Sequence, residues 1–325
     1  MRDAILAWYD AQGRHLAFRG TTDPYAILVS EAMAQQTQAS RAAEAWGRFL
    51  VAFPTFAALA AASPADVLRA WRGLGYNRRA LALRATAIVV EEAHGGDLPR
   101  DIAELEHLPG IGPYTARAVA VLAFGQPVGA VDTNVRRVLV RSLVGDGSVG
   151  AAVGPADGAV HAADGPGAAA TAARAPSPRE IQAMADASVP PSRPGHWTHA
   201  LMDIGAVFCK PRNPRCADCP ALPWCRVGVA RAASGRGDIG SATPKTPRPA
   251  RTREAAVPFE TTTRWLRGRI LDRLRDAVDG DWVDLREAIG GHPAAAVAGA
   301  LAALEREGLA QRDPADPARG RLPLA

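Results

Sequence analysis

The sequence predicts a mainly α-helical protein. Three observations carry that prediction. Short apolar segments at helical spacing recur from Met1 to about Gly145, each broken by proline, glycine or a capping residue. A tight hairpin, Pro109-Gly110-Ile111-Gly112, joins two of those segments. All four cysteines sit in one loop, Cys209 to Cys225, and an apolar helix runs straight into it.

Taken in order, residues 1–20 begin with a short amphipathic helix ending near Gln12 and Gly13. Asp23-Pro24 signals the next helix start, and the run from Tyr25 to Gln38 follows. Glu31 lies inside this apolar run, where its carboxyl is expected to be partly desolvated and its pKa raised; the alternative is a glutamate on a solvent face. Further helices are expected over Ser40 to Val51, Phe56 to Ala61, Pro64 to Trp71, Arg78 to His94 and Asp101 to His107. Tyr76 sits on a glycine-flanked turn beside Arg78 and Arg79, a setting suited to insertion into a base stack; a core-packing tyrosine is the alternative.

In the hairpin, Gly110 and Gly112 allow backbone angles and close approaches closed to other residues. The hairpin also leaves N–H groups at a helix N-terminus, which suits a phosphate; an ordinary helix-helix turn is the alternative. A helix then leads to Asp132, followed by Asn134 and the basic pair Arg136-Arg137. Asp132 before Thr133-Asn134-Val135 is also a good helix N-cap, and one side chain can serve both purposes. From about Gly145 to Pro178 the composition turns to Ala, Gly, Val and Pro, read as a low-complexity insertion. Helices return over Pro178 to Ser188 and His196 to Phe208. A basic, Pro-containing linker spans 229–258, and from Arg226 to Arg253 there are seven Lys or Arg against one acid, Asp238. The final segment, 259–325, reads as helices over Thr263 to Ala277, Val283 to Ile289 and Ala294 to Glu307, an order suited to a small winged-helix unit; a plain helical cap is the alternative.

The chain has 325 residues, net charge +5 and a pI near 9.4, as expected for a protein that sits on phosphates. Cysteines clustered in seventeen residues argue for metal binding over a secreted disulfide scaffold. Cys209, Cys216, Cys219 and Cys225, with no histidine among them, allow tetrahedral zinc or a 4Fe-4S cluster, and spacing alone leaves both open. No signal peptide or long apolar span is read, so a cytoplasmic, nucleoid-associated protein with no membrane contact is expected.

Leu108-Pro109-Gly110-Ile111-Gly112, followed by Val131-Asp132-Thr133-Asn134-Val135 and Arg137, resembles the helix-hairpin-helix DNA glycosylases, the superfamily of endonuclease III and the MutY-type adenine glycosylases. The run from Glu31 through Met33, Gln35, Gln36 and Thr37 to Gln38 is similar to the Glu-Val-Met-Leu-Gln-Gln-Thr-Gln element of the MutY branch. The resemblance covers residues 1 to about 228 and implies a helix-hairpin-helix glycosylase fold. In it a six-helix barrel (21–130) stands beside an iron-sulfur cluster domain (1–20 and 131–228). It favours 4Fe-4S over zinc. It implies Glu31 as the acid that protonates adenine and activates water, Asp132 as stabiliser of the sugar cation, and Asn134 and Tyr114 as supporting hydrogen bonders. DNA contacts are expected from Gln36, Thr37, Tyr76, Arg78, Gly110, Gly112 and Arg136, and Phe18 and Arg19 wall the base pocket.

The implied activity is excision of adenine mispaired with 8-oxoguanine or guanine in double-stranded DNA, by a monomer. Tyrosine at 114, where bifunctional relatives carry lysine, implies a monofunctional enzyme without a Schiff-base lyase step. The alternatives are a mismatch thymine or uracil glycosylase and a non-catalytic DNA-binding protein. The chain departs from the family at Leu16-Ala17-Phe18-Arg19, where the family has Leu-Pro-Trp-Arg, and at Ala34, which replaces leucine. The C-terminal segment is too short for a Nudix-like domain, so oxoguanine discrimination would rest on Gln36, Thr37, Tyr76 and their neighbours.

Overall fold

The computed structural model describes residues 1–145, 175–233, 258–278 and 280–324. They divide into two compact units, Met1–Arg14 with Ala120–Pro244, and His15–Val119 with Lys245–Ala325. The insertion read over 145–178 and the linker over 229–258 lie largely outside the described residues. The first unit opens with α1 (Arg2–Gln12). The second unit follows with a 3-10 turn at Ala17–Gly20, then α2 (Pro24–Ala34), α3 (Ala39–Ala52), α4 (Phe56–Ala61), α5 (Pro64–Ala70), α6 (Arg78–His94) and α7 (Ile102–His107). The hairpin and α8 (Pro113–Leu122) close this stretch.

Local chemistry sets these boundaries. Asp23 accepts from the Tyr25 N–H with Pro24 at the first helical position, and Thr55, Ser63 and Asp101 cap α4, α5 and α7 in the same way. Gly95, in the left-handed region, ends α6. Helix α2 is apolar on all sides and is buried on all sides, from Tyr25 to Glu31 and again at Met33. Around it Phe49 meets Trp71 edge-on at 5.9 Å, and Tyr25 meets Phe56 at 4.7 Å. Removing an aromatic of this size from water is worth about 3 kcal/mol.

The first unit resumes with α9 (Thr133–Leu139), whose end widens into a π-turn over Val140–Val144, followed by α10 (Pro178–Ser188), α11 (Pro194–Val207) and α12 (Arg226–Ala233). Ser177 and Glu180 form a reciprocal capping box at the start of α10. The core gathers Ile5, Val135, Leu139, Trp197, Leu201 and Ile204. Helix α12 carries ordered chain to Ala233, past the point where the linker was expected to begin.

The C-terminal segment is α13 (Thr263–Asp276), β1 (Val283–Asp284), α14 (Ala294–Arg306), β2 (Gln311–Arg312) and β3 (Arg319–Arg321). The strands form one antiparallel sheet in the order β1-β3-β2. The helix expected over Val283 to Ile289 is therefore corrected to a strand and a turn. Leu285 and Ile289 stand four apart, as on one face of a helix, with Val283 two before Leu285. However, Val283 pairs with Gly320 and Asp284 with Arg319, and Ile289 bridges His292 across Gly290-Gly291. The remaining order, helix, strand, helix and two-stranded wing, is winged-helix-like.

Candidate functional site

In the second unit, the sequence-predicted residues of α2 and the Tyr76 turn come together around Arg79. Its guanidinium donates to the carbonyls of Ala32 (2.5 Å), Met33 (3.2 Å) and Gln35 (2.6 Å) at the end of α2. It also donates to Leu74 (3.3 Å) and Gly75 (3.2 Å) and to the Thr37 hydroxyl (3.3 Å). Burial pulls its pKa below the ordinary arginine value. One side chain thus fixes two departures from regular backbone, Gln36 at φ 53° and Tyr76 at φ 44°. Both place a non-glycine residue in the left-handed region, which costs about 1–3 kcal/mol each. Gln36 and Arg78 are exposed, and the Tyr76 ring is 46% exposed. Arg79 looked in the sequence like another surface cation; six acceptors show it to be a clamp.

Glu31, on α2 just before this clamp, is 9% exposed. Its place in an apolar, buried run is as the sequence suggested. Phe18 lies edge-on to Trp46 at 6.4 Å, and Arg19 is half-buried on the same short turn. Trp46 donates to the Ala26 carbonyl (2.8 Å), tying α3 to α2.

The hairpin distinguishes its two glycines. Gly110 has φ 75°, and a Cβ there would lie 2.7 Å from the Ala82 Cβ, so both conformation and space demand glycine. Gly112 has neither constraint, and a side chain there would meet open space. Thr86 donates to the Pro109 carbonyl and holds the hairpin to α6. Tyr114 is half-buried in the first turn of α8, and the next residue, Thr115, accepts from Gln35 (3.3 Å).

In the first unit, Asp132 caps α9. Its Oδ1 accepts from the Val135 N–H (2.6 Å) and its Oδ2 from the Asn134 side-chain amide (2.9 Å). Asn134 in turn accepts from Arg137 Nη2 (2.8 Å), which also donates to the Gly205 carbonyl (2.7 Å). The Arg137 Nε donates to the carbonyl of Cys209. Burial lowers the Arg137 pKa, partly offset by the neighbouring Cys209 and Asp132. Gly205 permits this packing, because a Cβ there would lie 2.5 Å from the Asn134 Cβ. Arg136 is exposed, as expected of a DNA contact. Arg137, read with it as part of a basic pair, turns inward. Asp203, fully buried on α11, accepts from the Arg14 backbone N–H (2.8 Å) and Nε (2.6 Å), an anchor the sequence did not flag.

Cys209, Cys216, Cys219 and Cys225 all line one small cavity of about 20 Å³, with Phe208, Leu222 and Gly228. Arg141, buried at the π-turn, donates to the Lys210 carbonyl (2.7 Å) and to the Cys209 sulfur (3.4 Å). The Gly228 N–H points at the Cys225 sulfur (3.3 Å). Burial pushes the Cys216 thiol up, and raises Cys219 to about 12. The neighbouring Cys209 and Cys225 add to both shifts. Among the described residues no three side chains already stand as a metal-ligand set. The fit to a metal group is one of donor chemistry: four sulfurs around one cavity, with an arginine and a backbone N–H directed at them. Of the expected site residues, then, Gln36, Thr37, Tyr76 and Arg78 gather about Arg79 beside the end of α2. Asp132, Asn134 and the cysteines are linked through Arg137.

Residues 29–148 match the model of the HhH-GPD superfamily base excision DNA repair proteins. The chain is 38% identical over 274 residues to the adenine DNA glycosylase of Mycolicibacterium smegmatis, covering 84% of this chain and 80% of that protein. It is 40% identical over 276 residues to that of Mycobacterium tuberculosis strain CDC 1551, covering 84% and 78%. Among solved structures, a thermostable thymine-DNA glycosylase matches with a TM-score of 0.58 and 27% identity, over 70% of this chain and 95% of that one. No helix among the described residues is long and apolar enough to cross a membrane.

Proposed function

The chain belongs to the HhH-GPD superfamily of base excision DNA repair proteins, and from that premise we propose that it is an adenine DNA glycosylase acting on adenine opposite 8-oxoguanine or guanine. The observation that carries the reading is the held carboxylate of Asp132, engaged at one oxygen by Val135 and at the other by Asn134. An N-glycosidic bond breaks when the base leaves protonated and the sugar's developing positive charge meets a fixed negative one. Asp132 supplies that charge. Glu31, in its apolar helix, supplies the proton to adenine and then orients the attacking water. Asn134 positions Asp132, and Tyr114 supports the site from α8. With tyrosine at 114 there is no amine to form a Schiff base, so the enzyme is monofunctional.

The target base must leave the stack, and Tyr76, Gln36, Thr37 and Arg78 form the surface that holds the opened duplex. Gly110, Gly112 and Arg136 hold the backbone, and Phe18 and Arg19 wall the extruded base. Cys209, Cys216, Cys219 and Cys225 hold a 4Fe-4S cluster, with zinc as the alternative. When bound, that group would supply no redox step and would fix the shape of the loop that presents Lys210 and Arg212 to phosphate, Arg215 being paired with Asp218 (2.7 Å). In the domain reading, residues 1–20 and 131–228 form the cluster domain and 21–130 the barrel. The protein acts as a cytoplasmic, nucleoid-associated monomer.

Single-turnover base release from duplexes carrying A:8-oxoguanine, A:G, T:G and U:G tests this, with Glu31→Gln alongside. The wild type is expected to release adenine, and the variant to be slower by about 10²–10⁴-fold. Release of thymine or uracil alone would overturn the substrate. Binding without any release would leave a DNA-binding protein.

A further inference from the structure

We propose that the C-terminal unit binds the DNA backbone through the exposed edge of α13, next to Tyr76, and not through α14 or the wing. The proposal rests on the glycosylase reading only for duplex DNA as the ligand. Within the second unit, a groove of about 960 Å³ runs between the Gln36–Tyr76 surface and α13. Seven arginines line it: Arg79 and Arg275 turn inward onto main-chain carbonyls, Arg267 and Arg269 pair with Glu307 and Asp272, and the remaining three, Arg41, Arg78 and Arg264, are exposed. None of the three forms an ion pair among the described residues. Arg264, in the first turn of α13, lies over the Tyr76 ring at 4.7 Å. Phe259, 61% exposed, stands at the rim. A guanidinium over an aromatic face keeps N–H donors for a phosphate, while the ring remains a stacking platform. Aromatic surface among unpaired cations is the chemistry of a strand-binding groove.

The rest of the C-terminal unit lacks that chemistry. In a winged-helix unit the later helix and the wing would be the natural readers of DNA. Here α14 is alanine-rich and carries one cation, Arg306, at its last position. The arginines of the wing and its flanks are engaged. Arg312 pairs with Glu305 (2.5 Å), Arg319 with Asp313 (3.4 Å), and Arg286 with both Asp284 (2.8 Å) and Asp316 (2.6 Å). Arg321 packs over Trp282 at 4.2 Å and, unlike Arg264, spends its N–H donors on the Gln311 side-chain oxygen (3.0 Å) and the Gly280 carbonyl (3.3 Å). A cation already neutralised by a carboxylate releases few counterions on meeting phosphate, whereas an unpaired one releases about one. Charge therefore places the strand along α13, where it would continue the surface of Arg78 and Tyr76.

The test is duplex binding by the full chain across a range of KCl, for wild type, Arg264→Ala, Arg41→Ala and Arg286→Ala. The first two variants are expected each to lower the slope of log K against log salt by about 0.9, and Arg286→Ala to leave it unchanged. All three positions are at the surface, so folding is preserved. Unchanged slopes in both Arg264→Ala and Arg41→Ala, or an equal loss in Arg286→Ala, would overturn the proposal. Single-turnover base release separates it from the enzymatic reading. Lower slopes with no base released by wild type would support the surface while the glycosylase reading fails. Normal adenine release with unchanged slopes would sink this inference alone.

Discussion

Arg137 donates to the main-chain carbonyl of Cys209, and so ties the helix capped by Asp132 to the first cysteine of the loop. The same guanidinium holds Asn134 and the Gly205 carbonyl. The carboxylate and the cysteine loop are thereby set by one side chain, and neither can shift without breaking its bonds.

Replacing Arg137 with alanine should therefore loosen both at once. Three carbonyls, those of Thr133, Gly205 and Cys209, and the Asn134 side-chain oxygen lose a donor, at a cost of about 1–3 kcal/mol each if left dry. Lysine should restore little, because one ammonium cannot span four acceptors that a planar fork reaches. Thermal unfolding, metal content and single-turnover base release should all fall. Normal values in all three would show that the contact carries no weight.

The sequence exposed much of this architecture and concealed a definite part of it. Asp132 as a cap was readable because Asp-Thr-Asn before an apolar helix leaves few other roles. Asp23 and Pro24 and the hairpin were readable for the same reason: their signals are local. Arg79, Arg137 and Arg141 were not, because an arginine's charge reads alike at the surface and in the interior. Only tertiary carbonyls, gathered from distant turns, reveal which cations are spent inside. Val283 to Ile289 failed differently. Leu285 and Ile289 are spaced as on a helix, but pairing of Val283 and Asp284 with Gly320 and Arg319, thirty-odd residues on, decided the outcome.

Arg79 offers the sharpest test of an inward cation. Arg79→Ala removes the donor for five carbonyls and the Thr37 hydroxyl, and frees the strained backbone at Gln36 and Tyr76. A loss of about 3 kcal/mol is expected, the scale for disrupting a buried charged network. Arg78→Ala, one position away and exposed, should change stability by less than about 0.5 kcal/mol while weakening DNA binding. Equal destabilisation by both in urea titration would refute the division of labour.

Alkaline stability should track Tyr25. Its hydroxyl donates to the Phe53 carbonyl (2.7 Å) inside the second unit, and burial, followed by the nearby Asp23 carboxylate, raises its pKa above the ordinary phenol value. The folded state thus holds the proton that the unfolded chain releases near pH 10. The contribution is complete below that pH and is lost as pH rises toward the folded pKa, at about 1.4 kcal/mol per pH unit. Tyr25→Phe should cost about 1 kcal/mol at neutral pH through the lost hydrogen bond, and should flatten the decline above pH 10. An unaltered alkaline slope in Tyr25→Phe would assign that decline to other groups.

The hairpin glycines should part company in the same way that their surroundings do. Gly110→Ala must accommodate φ 75° and a contact of 2.7 Å with Ala82, so about 2–3 kcal/mol of destabilisation is expected. Adding Ala82→Gly removes the contact but not the backbone strain, and should recover only part of the loss. Gly112→Ala meets open space at an ordinary φ, and its effect on stability should stay within about 0.5 kcal/mol. Its methyl would instead stand where a phosphate approaches the start of α8, so the variant should fold normally and bind DNA more weakly. A Gly112→Ala protein that folds and binds like wild type would move the phosphate contact off Gly112, leaving Gly110 with a purely structural role.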